Sequence, residues 1–219
     1  MQIKLSQTED GSSTLFVPAL NEHYHSIHGA IQESKHVFIN SGFNNIAQEE
    51  IKILEIGFGT GLNTILTFLE AKKQQKIIQY DTLELFPIPI HIVNQLNYSE
   101  ILQIDSNLLS KIHDANWNKK IAFSKDFMLN KLNMDLLKFK TSQKYDLIYF
   151  DAFAPDKQPE LWHTNVFLKL FDMMNNNAVL VSYCAKGSFK RQLKSIGFNV
   201  ESLPGPPGKR EMVRAIKTT

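Results

Sequence analysis

The stretch that decides the fold is residues 51–63, which read IKILEIGFGTGLN. Its first six residues form a β-type run that contains Lys52 and Glu55 and ends at glycine, and the glycines precede a segment with helical spacing. Glycine at every second position lets the backbone turn sharply and approach a ligand, while the start of a helix offers free N–H groups. In open α/β sheets, ligands bind at the carboxyl ends of the strands, which is where this turn lies. We therefore expect a ligand-binding loop at residues 57–61.

The spacing of the glycines indicates what this loop binds. The dinucleotide fingerprint is Gly-x-Gly-x-x-Gly, whereas Gly57, Gly59 and Gly61 follow a Gly-x-Gly-x-Gly pattern. Together with Glu55, two residues before the first glycine, this pattern suits a ligand that carries an ammonium and a carboxylate group. S-adenosylmethionine is such a ligand. A glycine turn that serves packing alone is the alternative.

Strands and helices alternate through the rest of the chain. Further strands are predicted at residues 77–83, 127–134, 145–150 and 178–183, and helices at residues 62–73, 89–96, 159–173 and 188–196. This alternation is typical of a doubly wound α/β domain with a mainly parallel sheet. Two final strands, at residues 199–203 and 212–217, are separated only by a Pro/Gly turn, so we expect an antiparallel hairpin at one edge of the sheet.

The composition fits one globular domain. The chain has 219 residues, of which 43% are hydrophobic and 21% charged, and no repeat or linker divides it. Residues 1–48 have a mixed pattern, and we interpret them as an N-terminal extension that packs on the core and contributes to a substrate pocket. Residues 49–219 then form the catalytic domain. The single Cys184 excludes an intramolecular disulfide and a cysteine-rich zinc site.

Charge and hydropathy along the chain bear on its partners and compartment. No apolar targeting segment opens the sequence and no apolar run has the length of a bilayer span, so we expect a cytoplasmic protein with no membrane partner. Residues 186–219 contain eight lysines and arginines against two glutamates. This asymmetry predicts that an anionic partner such as a nucleic acid meets one end of the molecule, with solubility as the alternative reason.

Two further acids extend the predicted donor site. Glu84 ends the second strand, where its carboxylate would accept hydrogen bonds from both ribose hydroxyls of a nucleoside. Asp135 follows the third strand and would meet the adenine amino group, with an ordinary surface position as the alternative. Glu55 is assigned to the amino group of the ligand. The predicted donor-binding residues are Glu55, Gly57, Phe58, Gly59, Thr60, Gly61, Asn63, Glu84 and Asp135.

A candidate catalytic acid follows the fourth strand. Asp151 comes directly after residues 145–150, so its carboxylate faces the place where a methyl donor would sit, and Pro155 restricts the loop that carries it. The alternative is an aspartate that caps the following helix, but Pro159 starts that helix better. We therefore assign Asp151 as the catalytic residue.

The acceptor pocket is predicted from both ends of the chain. Three histidines, His23, His25 and His28, suggest a metal, but no carboxylate cluster or second cysteine completes a site, so we predict no metal. An aromatic and hydroxyl-bearing pocket wall is the better interpretation of this segment, and cations near the C-terminus would contact phosphates. The predicted substrate-binding residues are Tyr24, His25, Ser26, His28, Phe153, Pro155, Lys186, Lys209 and Arg210.

Four segments of this sequence resemble the MnmC-type tRNA methyltransferases. They are residues 57–63 (GFGTGLN), 150–155 (FDAFAP), 159–162 (PELW) and 208–212 (GKREM). The resemblance extends from about residue 24 to residue 216, in the same order and with similar spacing. It implies a class I, Rossmann-like fold in which residues 49–219 form a methyltransferase domain that uses S-adenosylmethionine.

The resemblance also implies a substrate. Members of this family make 5-methylaminomethyl-(2-thio)uridine at the wobble position of certain tRNAs, so the expected partner is a tRNA anticodon loop, with no stable protein partner. Many members are fused to a flavin-dependent oxidase; we expect this chain to be a stand-alone form without FAD. One departure is Ala152, where the fused enzymes are expected to have glycine after the aspartate.

The implied reaction makes a definite energetic demand. An alkylammonium with a lysine-like pKa near 10 is neutral in about one molecule in a thousand at pH 7, a cost of about 4 kcal/mol. Asp151 would orient the amine or accept its proton, and the sequence does not separate these two roles. Three alternatives stay open: a methyl or aminopropyl transferase acting on a small amine, a nicotinamide-dependent oxidoreductase, and an RNA-binding module without catalysis.

Overall fold

The N-terminal part of the chain forms a small sheet and a helical segment. The computed structural model describes residues 2–218. Strands β1 (Lys4–Gln7), β2 (Ser13–Val17) and β3 (Glu22–His23) pair antiparallel in that order. Helix α1 (Ala30–Ser34) continues into a π-helical turn at Lys35–Asn40. A single 3₁₀ turn at Phe43–Asn45 then leads to the central sheet.

The central sheet has eight strands. In chain order they are β4 (Glu50–Ile56), β5 (Ile77–Leu83), β6 (Lys119–Ser124), β7 (Phe127–Leu132), β8 (Tyr145–Phe150), β9 (Met174–Ser182), β10 (Phe198–Pro204) and β11 (Glu211–Lys217). Their order across the sheet is β10-β11-β9-β8-β4-β5-β7-β6. The five strands from β9 to β7 run parallel, while β6 at one edge and the β10–β11 hairpin at the other are antiparallel. The predicted mainly parallel sheet with a C-terminal antiparallel hairpin is confirmed.

Helices cover both faces of this sheet. They are α2 (Leu62–Gln74), α3 (Ile90–Val93), α4 (Tyr98–Ile101), α5 (Asn107–Asp114), α6 (Thr164–Asp172) and α7 (Gly187–Ile196), with a 3₁₀ turn at Pro159–Trp162. Within residues 2–218, no helix combines the length and the apolar character that a bilayer crossing requires.

Two hydrophobic cores result from the alternation of side chains along the strands. In β4, Ile51 and Ile53 point into the core shared with α2 and α5, whereas Leu54 and Ile56 point into the core shared with α6 and α7. Successive side chains of a strand project to opposite faces, so a sheet covered on both sides requires apolar residues at odd and at even positions, which β4 has in addition to Lys52 and Glu55. The sequence of β4, the first strand of the central sheet, therefore favours a sheet with helices packed on both faces.

The N-terminal segment packs on one of these cores. Leu15 of β2, Ala30 of α1 and Phe38 of the π-helical turn are all buried in the cluster that contains α2. The segment therefore lies on the same face of the sheet as α2, beside the first turn after β4.

The structure differs from the predicted elements at several positions. Strand β6 was not predicted, because it is an edge strand with exposed lysines and lacks a buried alternating face. The single helix predicted at 159–173 is interrupted at His163, whose backbone is extended. The strand predicted at 127–134 ends at Leu132, and β9 starts at Met174, earlier than the predicted residue 178. The helix predicted at 89–96 is limited to one turn, Ile90–Val93, with Pro89 before it.

Candidate active site

A cavity of about 690 Å³ opens at the carboxyl ends of the parallel strands. This volume lies in the range of small-molecule sites. The residues that follow β4, β5, β7, β8 and β9 all contribute to its wall, and β3 and α1 of the N-terminal segment add further side chains. The cavity therefore lies where the sequence placed the ligand-binding loop.

The glycine loop after β4 is held in a strained path that only glycine adopts easily. Gly57, Gly59 and Gly61 have φ angles of 92°, 48° and 73°. A Cβ at Gly57 would lie 2.6 Å from the backbone oxygen of Asp151, so this position brings the loop against the strand end that carries the candidate catalytic acid. Gly57 is thus required both for its conformation and for close approach.

The side chains of His113 and Tyr98 form hydrogen bonds with Thr60 of the glycine loop. The ring nitrogen Nε2 of His113 lies 3.0 Å from the carbonyl oxygen of Thr60, and the Tyr98 hydroxyl donates to Thr60 Oγ1 at 3.2 Å. Burial lowers the pKa of His113 to about 4, so its ring is neutral and donates one hydrogen bond to that carbonyl. Phe58, Thr60 and Asn63 line the cavity, whereas Gly61 does not, because it is the left-handed residue that precedes α2.

Glu84 connects the end of β5 to the glycine loop. Its Oε2 accepts a hydrogen bond from the Gly59 backbone N–H at 3.0 Å, and its Oε1 accepts one from the Phe86 backbone N–H at 2.8 Å. Burial raises the pKa of Glu84, which these two hydrogen bonds oppose. The carboxylate lines the cavity and retains lone pairs for further donors. Asp135 also lines the cavity, and its Oδ1 accepts from the Leu137 backbone N–H at 2.8 Å.

Glu55 occupies a different place from the one predicted. Its side chain is fully buried, does not line the cavity, and accepts hydrogen bonds at Oε2 from Thr82 at 2.7 Å and Thr64 at 3.3 Å. Burial raises the pKa of Glu55 to about 8, and the nearby charge of Asp151 raises it further, so the side chain is a neutral carboxylic acid at pH 7. Glu55 therefore hydrogen-bonds to residues of the neighbouring strand and helix and does not reach the cavity.

Asp151 stands in the cavity at the end of β8. Its Oδ2 accepts a hydrogen bond of 2.8 Å from Nδ2 of Asn63, which lies in the first turn of α2. Burial, followed by the charge of Glu33, raises the pKa of Asp151 to about 7, while Asn63 and Lys209 act in the opposite direction. A carboxylate with this pKa exchanges its proton near neutral pH, which is what a general base requires.

Two aromatic rings lie beside Asp151. Tyr24 and Phe153 both line the cavity and pack edge to face, with ring centroids 5.1 Å apart. The Trp162 indole N–H donates to the Phe153 carbonyl at 2.8 Å and so fixes the loop, but Trp162 itself is buried. Of these three aromatic side chains, Tyr24 and Phe153 are therefore the two that line the cavity. Pro155 does not line the cavity.

The predicted histidine segment follows the cavity wall. His25 bridges Thr14 Oγ1 at 3.2 Å and Thr60 Oγ1 at 3.3 Å, and burial lowers its pKa to about 4. His25 therefore joins the N-terminal sheet to the glycine loop as a neutral ring. Ser26 and His28 also line the cavity, and His28 pairs with Glu9 at 2.9 Å. Within residues 2–218, no group of three or more His, Cys, Asp or Glu side chains is arranged to hold a metal.

Three acids that line the cavity were not predicted from the sequence, namely Glu22, Glu33 and Glu160, and Glu33 is the most buried of them. Glu33 of α1 is 6% exposed, lines the cavity, accepts a hydrogen bond from the Ser26 backbone N–H at 2.7 Å and pairs with Lys209 Nζ at 2.5 Å. The ammonium of Lys209 also lies 4.0 Å from the centre of the Tyr183 ring. In the sequence Glu33 stands between Gln32 and Ser34, where nothing indicates a buried acid or a partner 176 residues away.

The predicted phosphate-binding cations divide into two groups. Lys209 is turned into the cavity and paired with Glu33, so it is not available as a surface phosphate contact. Lys186 and Arg210 are exposed and do not line the cavity; Lys186 pairs with Asp156 at 3.1 Å. Gly208, with φ 80°, lets the turn before Lys209 pass against His28, whose ring a Cβ would overlap.

Known proteins resemble this chain over most of its length. A protein of Leptospira interrogans named tRNA 5-methylaminomethyl-2-thiouridine biosynthesis bifunctional protein MnmC is 30% identical over 205 residues, covering 87% of this chain and 32% of that protein. The protein of the same name from Campylobacter hominis is 29% identical over 213 residues, covering 92% of this chain and 31% of that protein. The chain thus spans about a third of the length of these relatives.

A solved structure and a family model add to this likeness. The crystal structure of MNMC2 from Aquifex aeolicus superposes with a TM-score of 0.78 at 24% identity, over 98% of this chain and 69% of that one, and shares the fold. The model of a family described as S-adenosyl-L-methionine-dependent methyltransferase matches residues 100–218, which include β8, Asp151 and the C-terminal hairpin. Because this match spans more than half of the chain, the protein belongs to the S-adenosyl-L-methionine-dependent methyltransferase family.

Proposed function

We propose that this protein methylates the amino nitrogen of 5-aminomethyl-(2-thio)uridine at the wobble position of tRNA, giving 5-methylaminomethyl-(2-thio)uridine. The names of its relatives point to this product. The observation that carries the proposal is Asp151, a carboxylate with its pKa raised to about 7 in a cavity beside the glycine loop. An amine acceptor needs such a group because it must lose a proton before it can attack a methyl group.

The donor site fits S-adenosylmethionine, which supplies an electrophilic methyl group on a sulfonium when bound. Gly57 and Gly59 leave the loop free of side chains where the backbone meets the cavity, and a Cβ at Gly59 would press on the Tyr24 ring at 3.1 Å. Glu84 would accept the ribose hydroxyls, and Asp135 would contact the adenine amino group.

The acceptor site supplies the proton transfer. Asp151 would accept one proton from the acceptor ammonium, which converts R–NH₃⁺ to the nucleophile R–NH₂ and the carboxylate to the acid. Asn63 holds the carboxylate through its amide N–H, so that the nitrogen is fixed in line with the donor methyl. After transfer, the secondary amine carries the positive charge and the donor becomes a neutral thioether.

The surface around the cavity supports an RNA substrate. An anticodon base is presented outside a helix at little cost, and Tyr24 or Phe153 would stack on it. Exposed cations at Lys186, Arg191 and Arg210 would contact phosphates of the same loop. Affinity for tRNA should therefore fall as salt is added, and an affinity independent of salt would contradict this part of the proposal.

The direct test is nucleoside analysis of a methylated tRNA. The protein is incubated with labelled S-adenosylmethionine and tRNA whose wobble uridines carry the 5-aminomethyl group, and the digested nucleosides are identified by mass spectrometry. Label in 5-methylaminomethyl-(2-thio)uridine is expected, with none in the same reaction containing Asp151→Asn. Methylation of a free small amine together with failure to modify or bind this tRNA would instead favour the small-amine transferase.

A further inference from the structure

The cavity is acidic well beyond the catalytic residue. Six carboxylates line it against two lysines: Glu22, Glu33, Glu84, Asp135, Asp151 and Glu160, with Lys157 and Lys209. Glu84 and Asp135 belong to the donor side, and Glu160 is exposed. The side chain of Glu33 is only 8% exposed, and the negative charge of Glu33 acts on Asp151. Of the acids that interact electrostatically with Asp151, only Glu55 is more deeply buried.

Glu33 is held in place from two directions. The Ser26 backbone N–H occupies one carboxylate oxygen at 2.7 Å, and the Lys209 ammonium occupies the other at 2.5 Å. Lys209 is itself fixed above the Tyr183 ring at 4.0 Å, and the Tyr183 hydroxyl donates to the Ala152 carbonyl at 2.9 Å, next to Asp151. Glu33 is therefore tied, through two intermediate side chains, to the loop that carries the catalytic acid.

The charges of this cluster do not cancel. With both acids ionised, Asp151 and Glu33 carry two negative charges and Lys209 carries one positive charge, which leaves one negative charge in a partly desolvated cavity. An uncompensated charge in such a place is unfavourable, and a ligand with one positive charge removes the imbalance. A neutral hydroxyl ligand of the same shape would leave it in place.

We propose that Glu33 is a specificity-determining residue: it supplies, with Asp151, the pair of carboxylates that selects a singly charged ammonium acceptor over a neutral one. This inference rests on the proposed function for the identity of the acceptor. Lys209 and Tyr183 are positioning residues, because they hold Glu33 beside the acceptor without needing to touch it. This role also explains why Lys209, in the turn between β10 and β11, points into the cavity instead of into solvent.

The same cluster sets the proton affinity of the catalytic acid. The groups that act on Asp151 are Glu33 from α1, Lys209 from the β10–β11 turn, Tyr183 after β9, Glu55 from β4 and the amide of Asn63. Removing the negative charge of Glu33 leaves Lys209 without its partner, and both changes favour the ionised form of Asp151. The pKa of Asp151 should then move downward from about 7.

The test compares two uridines that differ only in charge. Binding of 5-aminomethyluridine and of its neutral isostere 5-hydroxymethyluridine is measured in the presence of S-adenosylhomocysteine, while Asp151 is titrated by carboxyl ¹³C NMR. In the wild type the aminomethyl nucleoside should bind more tightly. Glu33→Gln should weaken that nucleoside about tenfold, leave the hydroxymethyl nucleoside within about twofold, and lower the pKa of Asp151 by at least about half a unit.

Controls separate charge from folding and from the proposed function. Glu201→Gln removes an acid from another ion pair of the same hairpin, with Arg214, and should change none of these quantities. The double variant Glu33→Gln/Lys209→Met removes both members of the ion pair and leaves the single negative charge of Asp151, so it should restore the preference for the ammonium nucleoside. A double variant that still lacks the preference would show that damage to the pocket, and not the change of charge, abolished it in Glu33→Gln, and would overturn the inference.

The possible results decide each claim separately. Equal binding of the two nucleosides by the wild type, or an unchanged preference and Asp151 titration in Glu33→Gln, would overturn the inference. If the wild type prefers the ammonium and Glu33→Gln abolishes that preference, but tRNA is not methylated, the inference stands and the proposed function fails.

Discussion

The two halves of the cavity are built in different ways. The donor half, as we propose it, consists of the glycine loop, Glu84 and Asp135, and its polar contacts are mostly hydrogen bonds to backbone groups of the same strand ends. The proposed acceptor half consists of Asp151, the Tyr24–Phe153 ring pair and the Glu33–Lys209 ion pair, which join segments from both ends of the chain. One half is thus set by local backbone geometry, and the other by long-range side-chain contacts.

This difference matches the chemistry that each half performs. The proposed donor side is a loop of small residues and an acid at the carboxyl ends of two neighbouring strands, where ligands of doubly wound sheets bind. The proposed acceptor side combines Asp151 and Phe153, which follow β8, with side chains from the N-terminal segment and the β10–β11 turn. Variants should therefore affect donor binding and turnover separately, and the following predictions test that separation.

The largest effect is expected at Asp151. Asp151→Asn keeps the shape of the side chain but removes the proton acceptor, so turnover should fall by about 10²- to 10⁴-fold. The affinity for S-adenosylmethionine, measured by calorimetry, should stay within about twofold. Asp156→Asn, which changes an exposed acid of the same loop, serves as the control and should retain turnover. Loss of donor affinity in Asp151→Asn would mean that the two halves are not separate.

Gly57→Ala should damage both halves, because it lies at their boundary. The added Cβ would meet the Asp151 backbone oxygen at 2.6 Å, and φ of 92° is unfavourable for alanine, together a strain of about 1–3 kcal/mol or more. Donor affinity should fall more than tenfold, and thermal unfolding should occur at lower temperature. Gly187→Ala at the start of α7, where the nearest atom is the flexible end of Arg191, should change neither quantity appreciably.

Glu84→Gln should affect the donor half alone. The amide keeps one oxygen acceptor, but its NH₂ replaces the other oxygen and would face the backbone N–H of Gly59 or Phe86, which that oxygen accepts in the wild type. The lost charge and hydrogen bond correspond to at least about 1.5 kcal/mol, or a donor affinity at least about tenfold lower. Turnover at saturating donor should remain close to that of the wild type, as measured by steady-state kinetics. A large fall in turnover at saturation would place Glu84 near the acceptor instead.

Glu55→Gln tests whether Glu55 is a buried neutral acid, through the pH dependence of the free energy of unfolding. The folded protein holds its Glu55 proton up to about pH 8, whereas the unfolded chain releases it near pH 4.5. The free energy of unfolding should therefore fall as pH rises between these values, by at most about 1.4 kcal/mol per pH unit, and level off above pH 8. Urea unfolding of Glu55→Gln should lack this contribution, while Glu201→Gln should keep it. Equal slopes in the wild type and Glu55→Gln would contradict the buried neutral acid.

The donor half could be predicted from the sequence because its signals are local. Residues 51–63 contain the strand, the glycine turn and the helix start in one run, and Glu84 follows a strand whose bounds were predicted as observed. Glu55 is the exception. Its position before the glycines predicted a ligand contact, but the strand alternation turns its side chain toward Thr82 and Thr64, which donate to Oε2, while Oε1 is buried without a partner.

The acceptor half could be predicted only in part. Asp151 and Phe153 follow a strand end and Tyr24 lies in the histidine segment, and all three line the cavity, while their roles in binding and catalysis stay predictions. Glu33 was missed, and Lys209 was assigned to a phosphate patch, because their pairing depends on the N-terminal segment and the C-terminal hairpin meeting in space. No periodicity or spacing encodes a contact over such a separation.

The most direct test of the account is a crystal structure of the protein with S-adenosylmethionine and 5-aminomethyluridine. The account predicts the sulfur above the Gly57–Gly59 turn, the ribose on Glu84, and the donor methyl facing the amino nitrogen, with that nitrogen within hydrogen-bond distance of the Asp151 carboxylate. A donor bound with its methyl directed away from Asp151, or an acceptor nitrogen that contacts neither Asp151 nor Glu33, would contradict it.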